Sequence, residues 1–279
     1  MISAKKCARC AGAAIMTAVL LFWTAGRHAD AAGFDHAHGI LTQVLSERVV
    51  DGRVDYPGLQ KSPALLDRYL QSTSSVTEAQ FKGWNERQQL AFLINLYNAA
   101  TLRLIIDHYP LDSIKDIGNI FKGPWDQKVV SLFGGKTSLN HLEHGIIRKD
   151  YSEPRIHVAL VCAASSCPAL PSSAFTADAL DGQLDERARL YLSSPNGLRV
   201  DRAAGRVLVS SIFKWFGEDF VPGFSPASGF DGLKGKERAV MNFIAKYVSD
   251  ELRGFFSGGG YDLEYIDYDW SLNKQEVAP

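Results

Sequence analysis

Residues 85–110 read NERQQLAFLINLYNAATLRLIIDHYP, and this stretch decides how the rest of the chain must fold. Asn85 offers an N-cap and Gln88, three residues on, completes a capping box, so a helix is predicted from Glu86. Pro110 requires it to stop by His108. Within those bounds Leu90, Phe92, Leu93, Ile94, Leu96, Tyr97, Leu102, Leu104, Ile105 and Ile106 cover every face. A helix that is apolar all round has no solvent side, so it is predicted to run through the centre of a domain.

Outward from that helix the signals are short and mixed. Toward the N-terminus, Ile40, Leu41, Val44, Leu45 and Val49 recur at helical spacing until the Asp51-Gly52 pair ends the helix. A short strand is predicted at Val54–Tyr56, then a second amphipathic helix over Leu59–Leu70 with Pro63 near its first turn. Toward the C-terminus, Lys128–Phe133, Gly134-Gly135 and Lys136–Ser138 have the composition of a hairpin, and Asn140–Arg148 that of a short helix. Arg155–Cys162 reads as a buried strand and Thr176–Leu192 as an amphipathic helix capped by Thr176. A second hairpin over Leu198–Ser210 turns at Ala203–Gly205. Helical segments at Phe213–Phe220 and Leu233–Phe256 come next, and three glycines from Gly258 break the chain before a last strand at Leu263–Tyr268. Strand and helix do not alternate regularly. The predicted class is therefore α+β, a single domain with a buried central helix, surrounding helices and short antiparallel strands.

The chain has 279 residues, 46% of them hydrophobic and 22% charged, and no polar tract divides it, which favours one globular domain over residues 32–279. A formal net charge of -1 with dispersed basic residues leaves no electrostatic footprint for nucleic acid. Lys5, Lys6 and Arg9 precede an apolar run from Ala11 to Ala25 that is short for a membrane span, and Ala29 and Ala31 supply a small-residue cleavage site. Residues 1–31 are expected to be a signal peptide, the mature protein to be periplasmic or secreted, and no stable membrane insertion to remain after cleavage. Cleavage removes Cys7 and Cys10 with their C-x-x-C spacing. Cys162 and Cys167 stay, in a compartment where disulfides persist.

Residues 157–168, HVALVCAASSCP, form the sharpest chemical cluster. A strand is expected to deliver Cys162 to its end. In the loop beyond it, Ala163, Ala164, Ser165 and Ser166 leave room for a substrate and offer backbone N–H groups to an oxyanion. A thiol attacks as thiolate, so Cys162 needs a nearby imidazolium or cation, for which His144, His157 and Arg148 are the candidates. On a regular strand His157 and Cys162 point to opposite faces, which favours His144. The competing reading is a Cys162–Cys167 disulfide across the turn, which masks the nucleophile. Asn95 and Asn98 are buried amides beside Tyr97 that must find partners, either by pinning neighbouring loops or by orienting an imidazole or a substrate. His141 and His144, three residues apart with Arg148 a turn below, make a zinc site only with a third ligand from His157 or a cysteine. No metal or cofactor is otherwise expected.

Four motifs in order carry a family resemblance: AFLINLYNA at 91–99, LEHGIIR at 142–148, HVALVC at 157–162 with SCP at 166–168, and YDWSL at 268–272. Together they resemble the domain-of-unknown-function 547 family over Gly39–Asn273. The resemblance implies a domain identity without a reaction, and it puts Asn95, Asn98, Glu143, His144, Arg148, His157 and Cys162 at motif positions. The residues themselves suggest an exported thiol-dependent hydrolase or acyl transferase, of papain-like or transglutaminase-like logic, acting on a small-molecule or peptide amide or thioester. Cys162 would attack, His144 or else His157 would act as general base, and Glu143, Asn95 or Asn98 would orient the imidazole. Arg148 would hold a substrate carboxylate, with Tyr97, Ser165, Ser166 and Cys167 lining the substrate site. Against papain-like logic, the central helix has no cysteine at its N-terminus. The alternative is a non-catalytic binding domain for a small peptide or thiol metabolite with the two cysteines bridged, and a zinc-dependent enzyme is third.

Overall fold

Helices α1 (Gly39–Arg48), α2 (Tyr56–Lys61), α3 (Ala64–Ser74) and α4 (Glu78–Lys82) lead into the long helix α5 (Glu86–His108). The computed structural model describes residues 33–119 and 121–276, so the expected signal peptide lies outside the described residues. The capping box forms as predicted: the Gln88 N–H donates to the Asn85 side chain at 2.9 Å and the Asn85 N–H donates to the Gln88 side chain at 3.1 Å. From Leu90 to Leu102 every residue of α5 is buried. By length and composition α5 would suit a bilayer, but here its apolar faces are covered by α2, α3, the strand β3 (Val130–Leu132), which pairs with β4 (Gly135–Thr137), and the segment after β4.

Two apolar cores result. The first surrounds α5. The second gathers α7 (Leu180–Ser193), α8 (Ser211–Phe216), α9 (Val221–Phe224), α10 (Gly235–Ala245) and α11 (Asp250–Gly258) around a three-stranded sheet of β5 (Leu198–Asp201), β6 (Arg206–Ser210) and β7 (Asp262–Ile266). Tyr268 packs against both cores. The α+β class stands, with one refinement: β7 joins β6 in parallel, whereas β5 and β6 form the antiparallel hairpin.

Several boundaries differ from the sequence reading, each for a local reason. The Asp51-Gly52 pair turns a hairpin rather than merely ending a helix, with φ of 50° and 77°, and pairs β1 (Val49–Val50) with β2 (Arg53–Val54). Pro63 divides the predicted 59–70 helix into α2 and α3. The β3–β4 turn is Phe133-Gly134, because Leu132 pairs with Gly135. Thr176 caps nothing; α7 begins four residues later, after Ala179. The predicted 233–256 helix breaks where Ser249 caps α11.

The largest correction concerns residues 155–162. They are not a strand. Pro154 opens a 3-10 turn over Pro154–Val158, held by the Glu153 side chain, which accepts the Arg155 N–H at 3.0 Å. A short apolar run bounded by such a turn cannot be told from a buried strand by its pattern alone. His157 therefore sits on a turn and Cys162 on an irregular loop, and the alternation argument that separated their faces does not apply.

Candidate functional site

Between the two cores lies a cavity of about 270 Å³ lined by Tyr97, Glu143, His144, His157, Cys162, Trp125, Trp215, Phe216, Tyr268 and Trp270, with Asp126 and Asn140 also on its wall. His141–Ile147, between β4 and the short helix α6 (Arg148–Asp150), is wound as a π-helix, the Arg148 N–H reaching back to the Glu143 carbonyl. Such wide turns are uncommon and concentrate at functional sites. Its winding turns Glu143 inward beside Tyr97 while His144 stays two-fifths exposed.

Glu143 is the unusual group. Burial pushes its carboxyl up to about 7, against the opposing pull of the Tyr97 phenol and the Arg148 guanidinium. A carboxyl that titrates near neutrality inside a cavity can both take and give a proton. Tyr97 is itself pushed up, chiefly by burial and then by the neighbouring carboxyl.

Behind the cavity wall Asp219 gathers three hydrogen bonds from two partners. Arg148 donates to it twice, at 2.6 and 2.9 Å, and His157 donates Nε2–H at 2.7 Å. Burial works against the Asp219 carboxylate, but the hydrogen bonds from His157 and Arg148 outweigh it and hold the carboxyl well below its ordinary range. His157 is lowered mainly by burial, with Asp219 opposing, and its ring stacks on Phe216 at 4.3 Å. Arg148 also donates to His144 Nδ1 at 2.9 Å. His144 is lowered, first by burial and then by Arg148. Because Nδ1 accepts from Arg148, the neutral His144 ring carries its proton on Nε2.

Cys162 and Cys167 are joined by a disulfide. Cys162 is partly exposed and lines the cavity, whereas Cys167 is buried and lines a second cavity of about 200 Å³ on another face, near Arg53 and Arg187. The Cys162 N–H points to Cys167 Sγ at 3.1 Å, and the Tyr268 hydroxyl lies 3.2 Å from Cys167 Sγ and 3.4 Å from Cys162 Sγ. Among the described residues no histidine nitrogen is hydrogen-bonded to either sulfur.

Glu143, His144, His157, Cys162 and Tyr97 are thus brought to one cavity, but several expected roles are corrected. Asn95 spans the backbone of Phe175, donating to its carbonyl at 2.7 Å and accepting its N–H at 3.0 Å. Asn98 does the same across the Ala159 carbonyl and the Val161 N–H. Both pin loops; neither touches an imidazole. Arg148 is engaged by Asp219 and His144 and does not line the cavity, so it holds no substrate carboxylate there. The N–H groups of Ser165, Ser166 and Cys167 donate to Ser271, Asp269 and Ala164, leaving none of them for an oxyanion. The Ser166 hydroxyl accepts from Asp269 N–H and that of Ser165 pairs with Ser271, so both fasten the C-terminal segment. In this tautomer His144 offers the cavity a donor rather than a lone pair, and His157 is spent on Asp219, so neither stands as a general base toward Cys162. Among the described residues no three histidine, cysteine or carboxylate side chains are grouped as metal ligands.

Residues 81–192 match the family described as protein of unknown function, DUF547. Over that stretch the chain is similar to the DUF547 family. The DUF547 match includes α5, Glu143, His144, Arg148, His157 and the disulfide, and is shorter than the span over which the motifs extend. Asp219, Trp215, Phe216, Tyr268 and Trp270, which complete the site, lie beyond it. No curated protein and no solved structure matches the chain. Sequence reasoning missed Asp219 and the tryptophans as site residues. Tyr268 and Trp270 were signalled by the YDWSL motif; Asp219, 62 residues from its histidine partner, had no local signal.

Proposed function

We propose that this exported DUF547 protein binds a small peptide or thiol metabolite in the aromatic cavity, over the bridged Cys162–Cys167 pair. The observation that carries the reading is the composition of that cavity. Trp125, Trp215 and Trp270 give it broad apolar faces, while Glu143 and Asp126 suit the amine of a short peptide. Trp215 and Trp270 stack at 5.8 Å with Tyr268 against both, a preformed wall that costs little to order on binding. The test is a fluorescence titration with S-methylglutathione and a blocked alanine tripeptide amide, neither of which carries a free thiol. Saturable quenching is expected for at least one, weakened in Trp215→Ala; no saturable change up to about 10 mM, an affinity too weak to be specific, overturns the reading.

A second reading is supported by Cys162, Glu143 and His144 sharing the cavity: once reduced, Cys162 acts as nucleophile of a hydrolase or acyl transferase, with Glu143 as the proton acceptor. Iodoacetamide labelling of the reduced protein tests it. Labelling at pH 7 no faster than a free model thiol excludes an activated nucleophile.

A further inference from the structure

We propose that the Cys162–Cys167 disulfide is reactive and directional: a thiolate entering the aromatic cavity attacks Cys162 Sγ, and Cys167 Sγ departs with the electron pair. The two sulfurs are not equivalent. Cys162 faces the ligand cavity and is partly exposed, while Cys167 is buried, off that cavity and against the second one on another face. The hydrogen bonds are unequal too. Cys167 Sγ lies against the Cys162 N–H at 3.1 Å and the Tyr268 hydroxyl at 3.2 Å, whereas the only hydrogen-bonding group at Cys162 Sγ among the described residues is that same hydroxyl, at 3.4 Å. A disulfide sulfur has no proton to give, so Tyr268 is the donor. Two donors aimed at one sulfur stabilise negative charge there, and exchange is faster when the departing thiol is the better leaving group.

The step balances without a further reagent. The incoming RS⁻ forms an RS–S bond to Cys162 as the Cys162–Cys167 bond breaks, leaving Cys167 as thiolate. A second thiol of the same class attacks the mixed disulfide, forming RS–SR and releasing the Cys162 thiolate. Two thiols are oxidised, the protein disulfide is reduced by two electrons, and the two thiol protons end on Cys162 and Cys167. Glu143, on the same cavity wall as Cys162, is the acceptor placed to take the proton of the incoming thiol.

The inference rests on the cavity being a ligand site, and the experiment separates the two. The oxidised mature chain is mixed with reduced glutathione at pH 7 without denaturant, quenched in acid, alkylated with N-ethylmaleimide and mapped by peptide mass. Early samples should carry glutathione on Cys162 and maleimide on Cys167; later ones should carry maleimide on both, with oxidised glutathione released. Tyr268→Phe should slow adduct formation about tenfold, the scale of losing one hydrogen bond to a charged acceptor, and should raise the pH at which Cys167 of the reduced protein begins to alkylate. A disulfide that stays intact, an adduct on Cys167, or equal rates in wild type and variant overturns the inference. Saturable S-methylglutathione binding without exchange removes the exchange and keeps the ligand site. Exchange that stays first order in glutathione, with no S-methylglutathione binding, keeps the exchange and removes the ligand site.

Discussion

Replacing Glu143 by glutamine should stabilise the protein above neutral pH and leave it nearly unchanged in acid. The folded protein raises this carboxyl from an ordinary 4.5 to about 7, burial being the largest cause. Folding therefore favours the protonated form, and the stability tied to that proton is fully present below pH 4.5 and lost as pH rises through 7. At 1.36 kcal/mol for each pH unit between the two values, the ionised form is disfavoured by about 3 kcal/mol in the folded protein. The side chain is only 11% exposed, so solvent screening reduces this little. Glutamine keeps the shape and an acceptor for Tyr97 while removing the charge. Urea unfolding under non-reducing conditions should show wild type and variant within about 0.5 kcal/mol at pH 4.5 and the variant ahead by about 2–3 kcal/mol at pH 8.5. Taking the difference cancels titrations common to both chains. A stability difference that does not change between those pH values would show that Glu143 is not a desolvated carboxyl.

The same contacts set three further outcomes. Asp219→Ala leaves Arg148 without its bidentate partner and His157 without its acceptor, at an expected loss of about 2–4 kcal/mol in urea unfolding; a loss under 0.5 kcal/mol would remove Asp219 from its place as the cluster's anchor. Asn98→Ala frees the Ala159 carbonyl and the Val161 N–H, so amide exchange at Val161 should accelerate at least tenfold while exchange in the middle of α5 changes little. Equal protection of Val161 in both proteins would show that the loop before Cys162 is held by something else. Replacing both Cys162 and Cys167 by serine opens a loop of sequence separation 5, which chain entropy values at about 2 kcal/mol. The double variant should remain folded, with a lower urea midpoint and an unchanged slope; a chain unable to fold would mean the bridge is a structural staple.

Local chemistry made the legible parts of the sequence legible. Asn85 and Gln88 cap α5 through contacts three residues apart, and its all-round apolar surface gave it nowhere to sit but the interior. The Ala203–Gly205 turn was legible for the same reason. Features that depend on distant partners were not. Residues 155–162 carry strand-like side chains, yet Pro154 and Glu153 wind the first of them into a turn, and Asn98 of α5 fastens Ala159 and Val161 in the loop beyond it. The serines of the 163–166 loop looked like an open oxyanion site, because nothing local shows that the 269–272 segment consumes their donors. His144 and Cys162 do reach one cavity, but the tautomer of His144 is fixed by Arg148, and Arg148 in turn is fixed by Asp219, far along the chain.

The ligand cavity is tested most directly by the indole N–H resonances of the folded protein during a titration with S-methylglutathione. Trp125, Trp215 and Trp270 line the cavity, whereas Trp84 packs against Phe34, His36 and Phe92 around the first core and serves as the internal control. Saturable shifts of the three cavity indoles are expected, with Trp84 unmoved. Shifts of all four alike, or of none, would mean that the cavity is not a ligand site.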